Sequence, residues 1–348
     1  MAEINLTLIA QGRAHAVPAN LEDGAYRIDP KYVDEVLGWK LKPEGLCRAG
    51  LCIPAKPGLI TEAGLDVARF ADLVGAPMAV DSGANIVAIA APVEVRLAEQ
   101  ANGEAPDFEL PDLAGATTRL SDYRGRKVLL VTWASWCGCR DDLPRWRELH
   151  DELSPDGLTI ITVAQESSIE DARPFIERAE PTHPSLIDLN HQVSEAYGFI
   201  NVPTVVWIDE AGKIARAPKV EHASNMYAFA HKLDCEPHLA ALRRWVKEGV
   251  RDMSTSDIEA QTLTATWDDQ MARAEFALGW HLHQIGRADA AKARFERAEQ
   301  LAPLDWTIRR GTMRLREQDP FGVDFARAWT EWEEMGRPDY AALAAERR

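Results

Sequence analysis

Apolar and polar positions follow three different rhythms along the chain. Near the start, Ile4, Leu6 and Leu8 alternate with polar residues, the period of a half-buried strand. The spacing of Leu65, Val67, Phe70 and Leu73 predicts a helix over 65–73. Runs at 78–80 and 85–89 predict strands flanking the turn Asp81-Ser82-Gly83, and 46–54 predicts a tight hairpin with Gly50 in its turn. Residues 1–103 therefore read as a separate α/β domain, with Gln100-Ala101-Asn102-Gly103 as its linker. Over 104–235 the rhythm alternates. Strands are predicted at 127–133, 158–164, 185–188, 204–209 and 213–217, and helices at 138–154, 169–179, 191–197 and 222–234. Such alternation implies an α/β domain with a central sheet covered on both faces. Residues 236–348 lack strand patterns and read as an all-α region.

Length and charge narrow this picture. A chain of 348 residues is long for one core, so two or three domains are expected. The net charge is −16, most of it before residue 240, which argues against nucleic acid or an anionic membrane as partner. The opening Met-Ala-Glu-Ile-Asn-Leu-Thr-Leu-Ile-Ala has no basic segment before an apolar core, so it does not read as a signal peptide. No stretch has the apolar length to cross a bilayer, and the expected location is the cytoplasm.

Five cysteines are too few for a disulfide scaffold of this size, and in a reducing compartment they read as catalytic, metal-binding or inert. Cys137 and Cys139 end an apolar β-type run and precede a charged helical segment, Arg140-Asp141-Asp142-Leu143-Pro144. Unpaired amides and the positive dipole end at a helix start favour an anion, so a cysteine there ionises readily and becomes a nucleophile. A Cys-x-Cys pair also suits a soft metal, with Cys47 and Cys52 as further ligands, though spacing alone does not fix one. Cys47 and Cys52 flank the predicted hairpin turn. An internal disulfide, a dithiol that relays electrons and two ordinary thiols all stay open for them. Cys235 closes the predicted helix 222–234 and reads as structural. His281 and His283, two apart on a helix, are poor joint ligands. Arg140 is the near cation for a thiolate, and Arg216 reads as a surface charge beside a turn. P-loop, dinucleotide glycine and His-Glu-x-x-His patterns are absent, and no cofactor is expected.

Three separated motifs carry a resemblance. Ala105-Pro106-Asp107-Phe108-Glu109-Leu110 leads to Leu120-Ser121-Asp122-Tyr123-Arg124-Gly125. Trp133-Ala134-Ser135-Trp136-Cys137 leads to Leu143-Pro144. Gly198-Phe199-Ile200-Asn201-Val202-Pro203-Thr204 follows. Together they resemble the TlpA/ResA branch of the thioredoxin-like family over about 105–235. The resemblance implies a thiol-disulfide oxidoreductase in which Cys137 attacks and Cys139 resolves. It implies further that Val202 and Pro203 form a cis-proline loop whose backbone binds substrate, that Asp142 relays protons to Cys139, and that Trp136 shapes the approach to the thiols. Its implied partners are a protein or small-molecule disulfide, or a hydroperoxide, together with a thiol reductant. The family has two residues between its cysteines and this chain has one, Gly138, the residue best able to take unusual dihedrals in so small a ring. A subgroup with selenocysteine at the first position, in the pattern Trp-Ala-x-x-Sec-Gly-Cys, is also similar and keeps thiol-dependent peroxidase chemistry open. A threonine three residues before the cysteine marks the peroxiredoxins; here that residue is Ala134.

Residues 272–303 resemble a tetratricopeptide repeat. Leu278, Gly279, Gly286, Ala291, Phe295, Ala298 and Pro303 match its pattern, and Glu275 departs from it. One repeat cannot bury its face alone, so neighbouring helices must cover it, and a protein partner for this region stays open. Trp306, Phe325, Trp329 and Trp332 read as packing residues. The expected organisation is 1–103 α/β, 104–235 thioredoxin-like, and 236–348 helical and tetratricopeptide-like.

Overall fold

The computed structural model describes residues 2–101 and 103–347. They form two compact units, one of 2–101 with 264–303 and the other of 103–263 with 304–347. The helical C-terminal region is thus divided where the sequence suggested one continuous piece. An amphipathic helix pair advertises an apolar face without saying which sheet it covers. Among the described residues no helix is long and apolar enough to cross a membrane.

The first unit is built on a seven-stranded sheet. Ala2–Ala10 pairs antiparallel with Arg13–Glu22 and parallel with Ile86–Ile89, which in turn pairs antiparallel with Met78–Asp81. Leu6 and Leu8 are buried, as their alternation requires. The helix Val67–Val74 begins two residues later than its apolar spacing suggested, because Asp66 accepts the Arg69 amide (3.1 Å) and caps it. Lys40–Lys42, Gly45–Arg48 and Leu51–Ile53 form a separate small sheet. Its tight turn is Ala49-Gly50, both at positive φ, which suits the twist of a two-residue hairpin. Cys47 and Cys52 stand directly opposite in that ladder and are joined by a disulfide, so they are not two ordinary thiols. The helices Trp267–Gln284 and Ala288–Leu301 pack as a hairpin, with Gly279 where they cross. A Cβ there would lie 2.9 Å from the Phe295 ring, so only glycine permits the approach. Their ties within this unit include Arg294 Nη2 to Val80 O (2.7 Å). The two units divide between 102 and 103, inside the linker expected at 100–103, although its first two residues are helical. The helix Val93–Ala101 runs through Gln100 and Ala101, Asn102 lies outside the described residues, and Gly103 O accepts the Ile214 amide (2.8 Å).

The second unit holds a five-stranded sheet in the order Ser185–Asp188, Leu158–Gln165, Lys127–Trp133, Thr204–Ile208, Ile214–Lys219. The first three strands are parallel and the last two antiparallel. The two-residue period of the central strand sends side chains to both faces. Leu129, Val131 and Trp133 meet Trp146, Leu149 and Leu153 of the helix Leu143–Leu153 on one side. Val128 and Leu130 meet Val193, Tyr197 and Phe199 on the other. Trp133 and Trp146 are fully buried, each worth about 1.5–3 kcal/mol by area.

Three helix expectations are corrected. Over 138–154, residues Gly138–Asp142 form a 3-10 turn and the α-helix is Leu143–Leu153, with Pro144 in its first turn, where a missing N–H costs nothing. Over 222–234 only Ala228–His231 is helical. There the Ala223 amide goes to Asp142 Oδ2 (3.2 Å) and the Cys235 amide to Asn225 Oδ1 (2.8 Å), not to i−4 carbonyls. Cys235 consequently precedes the helix Glu236–Glu248 and does not close one. Residues 304–347 complete this unit. Trp306 packs against Phe325, Trp329 and Trp332, as their packing role required. Its amide donates to Ile200 O (2.7 Å). The Tyr340 hydroxyl receives the Ile200 amide (2.9 Å) and lies 2.9 Å from Thr204 Oγ1.

Candidate active site

The central strand delivers residues 134–137 to its carboxyl end, where the chain turns and Cys137 caps the 3-10 turn Gly138–Asp142. The Cys139 amide donates to Cys137 Sγ (3.4 Å), and the Cys137 thiol donates to Val202 O (3.4 Å). The Val202–Pro203 peptide bond is cis, and this loop faces the sulfur as the resemblance implied. Both sulfurs are buried, Cys137 at 6% exposure and Cys139 at 1%, and both are free thiols.

Hydrogen bonding from the Cys139 side chain, aided by the Arg310 guanidinium, the Cys139 amide and His222, overcomes burial and lowers the Cys137 pKa to about 6. Burial and its hydrogen bond to Cys137 push Cys139 well up. One sulfur is therefore a thiolate at neutral pH and its neighbour a thiol. The α-helix starts only at Leu143, so the amide at the helix start that Cys137 Sγ accepts belongs to the 3-10 turn before it, and the Cys139 side chain and Arg310 add to its effect.

Arg140 does not act as the expected thiolate cation. Its Nη1 donates to Ser135 O (2.5 Å), and its guanidinium stacks on Phe175 (4.8 Å) and Phe321 (4.6 Å). Arg216 is no surface charge. It is buried over the Trp207 ring (4.7 Å) and paired with Glu221 and Asp252 (3.0 Å to the latter). Asp142 is buried below the turn. It accepts from Ser224 Oγ (2.5 Å) and the Ala223 amide (3.2 Å), and it pairs with His222 Nδ1 (3.1 Å). Its negative charge helps hold Cys139 protonated. His222 stacks on His231 at 4.1 Å, and burial lowers the His231 pKa to about 4. Gly138 lies under the Tyr227 ring, where a Cβ would stand 3.0 Å from the nearest ring carbon, so a larger residue would have to push that ring aside. Trp136 is buried and touches Gly311, where an added Cβ would lie 3.3 Å from its Cζ2.

Several residues of the site had no signal in the sequence. Glu166, at the end of the strand Leu158–Gln165, accepts the Ser135 amide and the Ser135 hydroxyl (3.0 Å). Burial raises its pKa to about 8, so it is largely a neutral acid. Arg314 Nη1 reaches the same Ser135 hydroxyl (3.2 Å). Arg310 Nε donates to Pro320 O (2.9 Å), and its guanidinium lies over Phe325 (3.8 Å) and Phe321 (5.1 Å). Burial lowers the Arg310 pKa while the two sulfurs pull it up. Among the described residues no cluster of three or more His, Cys, Asp or Glu is arranged to hold a metal.

Residues 101–217 match the AhpC/TSA family. A thiol-disulfide oxidoreductase ResA of Geobacillus thermodenitrificans (strain NG80-2) is 39% identical over 113 residues, which are 32% of this chain and 65% of that protein. A ResA of Geobacillus kaustophilus (strain HTA426) is 37% identical over 140 residues, covering 40% of this chain and 76% of that protein. The chain thus spans slightly less than two thirds of the first relative and about three quarters of the second. The crystal structure of the pneumococcal exposed lipoprotein thioredoxin Etrx1 from Streptococcus pneumoniae strain TIGR4 shares 30% identity. It aligns with a TM-score of 0.34 over 41% of this chain and 99% of that one.

Proposed function

Because the chain belongs to the AhpC/TSA family of thioredoxin-like proteins, with ResA thiol-disulfide oxidoreductases among its relatives, we propose that it exchanges thiols for disulfides through Cys137 and Cys139. The observation that carries this reading is the split between the two sulfurs: Cys137 acidic at about 6, Cys139 held protonated, with the amide of one on the sulfur of the other. The Cys137 thiolate attacks one sulfur of the substrate disulfide. A mixed disulfide forms and the other half leaves as a thiolate. Cys139 then loses its proton to the Asp142–His222 pair and attacks Cys137 Sγ, which releases the second thiolate and closes the 137–139 disulfide. Two electrons pass from the dithiol to the substrate, and an external dithiol reductant returns them.

Turnover of a model disulfide with dithiothreitol as reductant tests this reading. Cys137→Ser is expected to lose roughly a thousandfold, as removal of a nucleophile does; activity equal to wild type overturns the proposal. Peroxide reduction is a second reading, favoured by the acidic thiol and the AhpC/TSA match. It requires thiol-dependent consumption of hydrogen peroxide and a trappable sulfenic acid on Cys137. A soft-metal role requires stoichiometric zinc or copper in the purified protein. A cytoplasmic location belongs to the proposal, and there Cys47–Cys52 is open to exchange with cellular thiols. The hairpin 267–301 reads as a tetratricopeptide-like element for a protein partner, which retention of that partner on the purified chain would test.

A further inference from the structure

Main chain that a thioredoxin-like site offers to an extended peptide is already engaged here. Ile200 O accepts from the Trp306 amide (2.7 Å), and the Ile200 amide donates to the Tyr340 hydroxyl (2.9 Å). The Val202 amide donates to Asn201 Oδ1 (2.8 Å), and Val202 O takes the Cys137 thiol (3.4 Å). Strand addition draws its affinity from unpaired main-chain groups; both groups of Ile200 and the amide of Val202 are taken, and Val202 O, which faces the sulfur, is the one left when Cys137 is a thiolate. Trp306 and Tyr340 both lie beyond 101–217, in the segment 304–347 that folds onto this unit.

That same segment brings positive charge to the sulfurs of a protein whose net charge is −16. Arg310 is held by Pro320 O and the Phe325 ring. Its neighbour Gly311 is seated on Trp136, the residue before Cys137. Arg140 shares the Phe321 ring with Arg310, and Arg314 holds the Ser135 hydroxyl. Two guanidinium groups, of Arg140 and Arg314, thus bond Ser135, the charge of Arg310 acts on both sulfurs from the segment seated on Trp136, and the reactive sulfur retains 6% exposure. Planar guanidinium forks recognise carboxylates.

Resting on the exchange reading above, we infer that the substrate is a small disulfide carrying carboxylate groups, drawn to Cys137 by Arg310, and not an extended polypeptide. Chemistry at sulfur is unchanged. Cys137 forms a bond to the nearer sulfur, the disulfide bond breaks, each half departs as a thiolate in turn, and an added dithiol re-reduces the protein.

Three probes test it, each rate divided by its rate with dithiothreitol alone: 3,3′-dithiodipropionate (two carboxylates), bis(2-hydroxyethyl) disulfide (neutral) and insulin (polypeptide). Wild type is expected to show a kcat/KM for dithiodipropionate about tenfold above both others, the size of one charge-assisted hydrogen bond. Arg310→Gln brings the ratio of charged to neutral probe near one, and Arg310→Lys restores most of it. Equal treatment of the two small probes by wild type, a preference that survives in Arg310→Gln, or insulin reduced as well as dithiodipropionate overturns the inference. Should Arg310→Gln not fold, the wild-type ratios decide alone. Failure of wild type to reduce any of the three sinks the exchange reading itself, and that result is distinct from a lost preference.

Discussion

The two thiol pairs of this chain sit close in sequence within each pair and have opposite chemistry. Cys47 and Cys52 occupy facing positions of a hairpin ladder, where strand geometry alone brings the sulfurs together, and they are bonded. Cys137 and Cys139 are separated by a single glycine at a strand-to-turn junction, and both are free. No cation is needed to explain the first pair. The second draws on Arg310 and His222 from two other parts of its unit and on Asp142 of its own turn. Proximity makes a disulfide; a surrounding of unequal charges makes two sulfurs with different duties.

The sharpest way to break this contrast is to remove the resolving thiol. Cys139→Ser is expected to lose roughly a hundredfold or more in turnover and to accumulate a mixed disulfide on Cys137, read by intact mass. Replacing both Cys47 and Cys52 by Ser is expected to cost about 2 kcal/mol of stability in denaturant unfolding, from the short loop they close, with turnover unchanged. A large loss of turnover would tie the two pairs together functionally. Next comes pH. With Cys137 at about 6, its alkylation rate is expected to fall about tenfold between pH 7 and pH 5, while Cys139 stays inert across that range. A midpoint near the ordinary thiol value of 9.0 would remove the asymmetry.

The smallest effect concerns the support behind the turn. Folded Glu166 keeps its proton to about pH 8, whereas the unfolded chain releases it near 4.5. Between those values the folded state binds more protons, so this residue's contribution is fully present below about 4.5 and is lost as pH rises toward 8. Its slope is at most about 1.4 kcal/mol per pH unit. Cys137 contributes the opposite sign from about 6 to 9, so the difference between wild type and Glu166→Gln isolates the carboxyl. Unfolding curves of the two proteins that shift in parallel with pH would contradict the assignment.

What the sequence made legible was local. Apolar runs marked all five strands of the second unit's larger sheet, and strand, Cys-Gly-Cys and Pro203 came in the order the site uses. Arg310, Tyr340, His222 and Glu166 left no trace, because each reaches the sulfurs or the loops beside them only through long-range packing and none belongs to a short motif. Arg140 misled for the complementary reason. It is next to Cys139 in the chain, yet its fork is taken by Ser135 O. At Gly138 the use of backbone freedom in a small ring is readable from the sequence, whereas the Tyr227 ring packed against it is not. The region 222–234 has helical composition, but Asp142 captures the Ala223 amide and the Ser224 hydroxyl from outside.

Arg310 follows the cysteines in the chain by a long interval, and synthesis runs in that order. While the polypeptide is still being made, the sulfur pair leaves the ribosome without the cation that later sharpens it. The nascent thiols are thereby kept comparatively blunt until residues 304–347 have folded onto them. Arming the site and finishing the unit become one event.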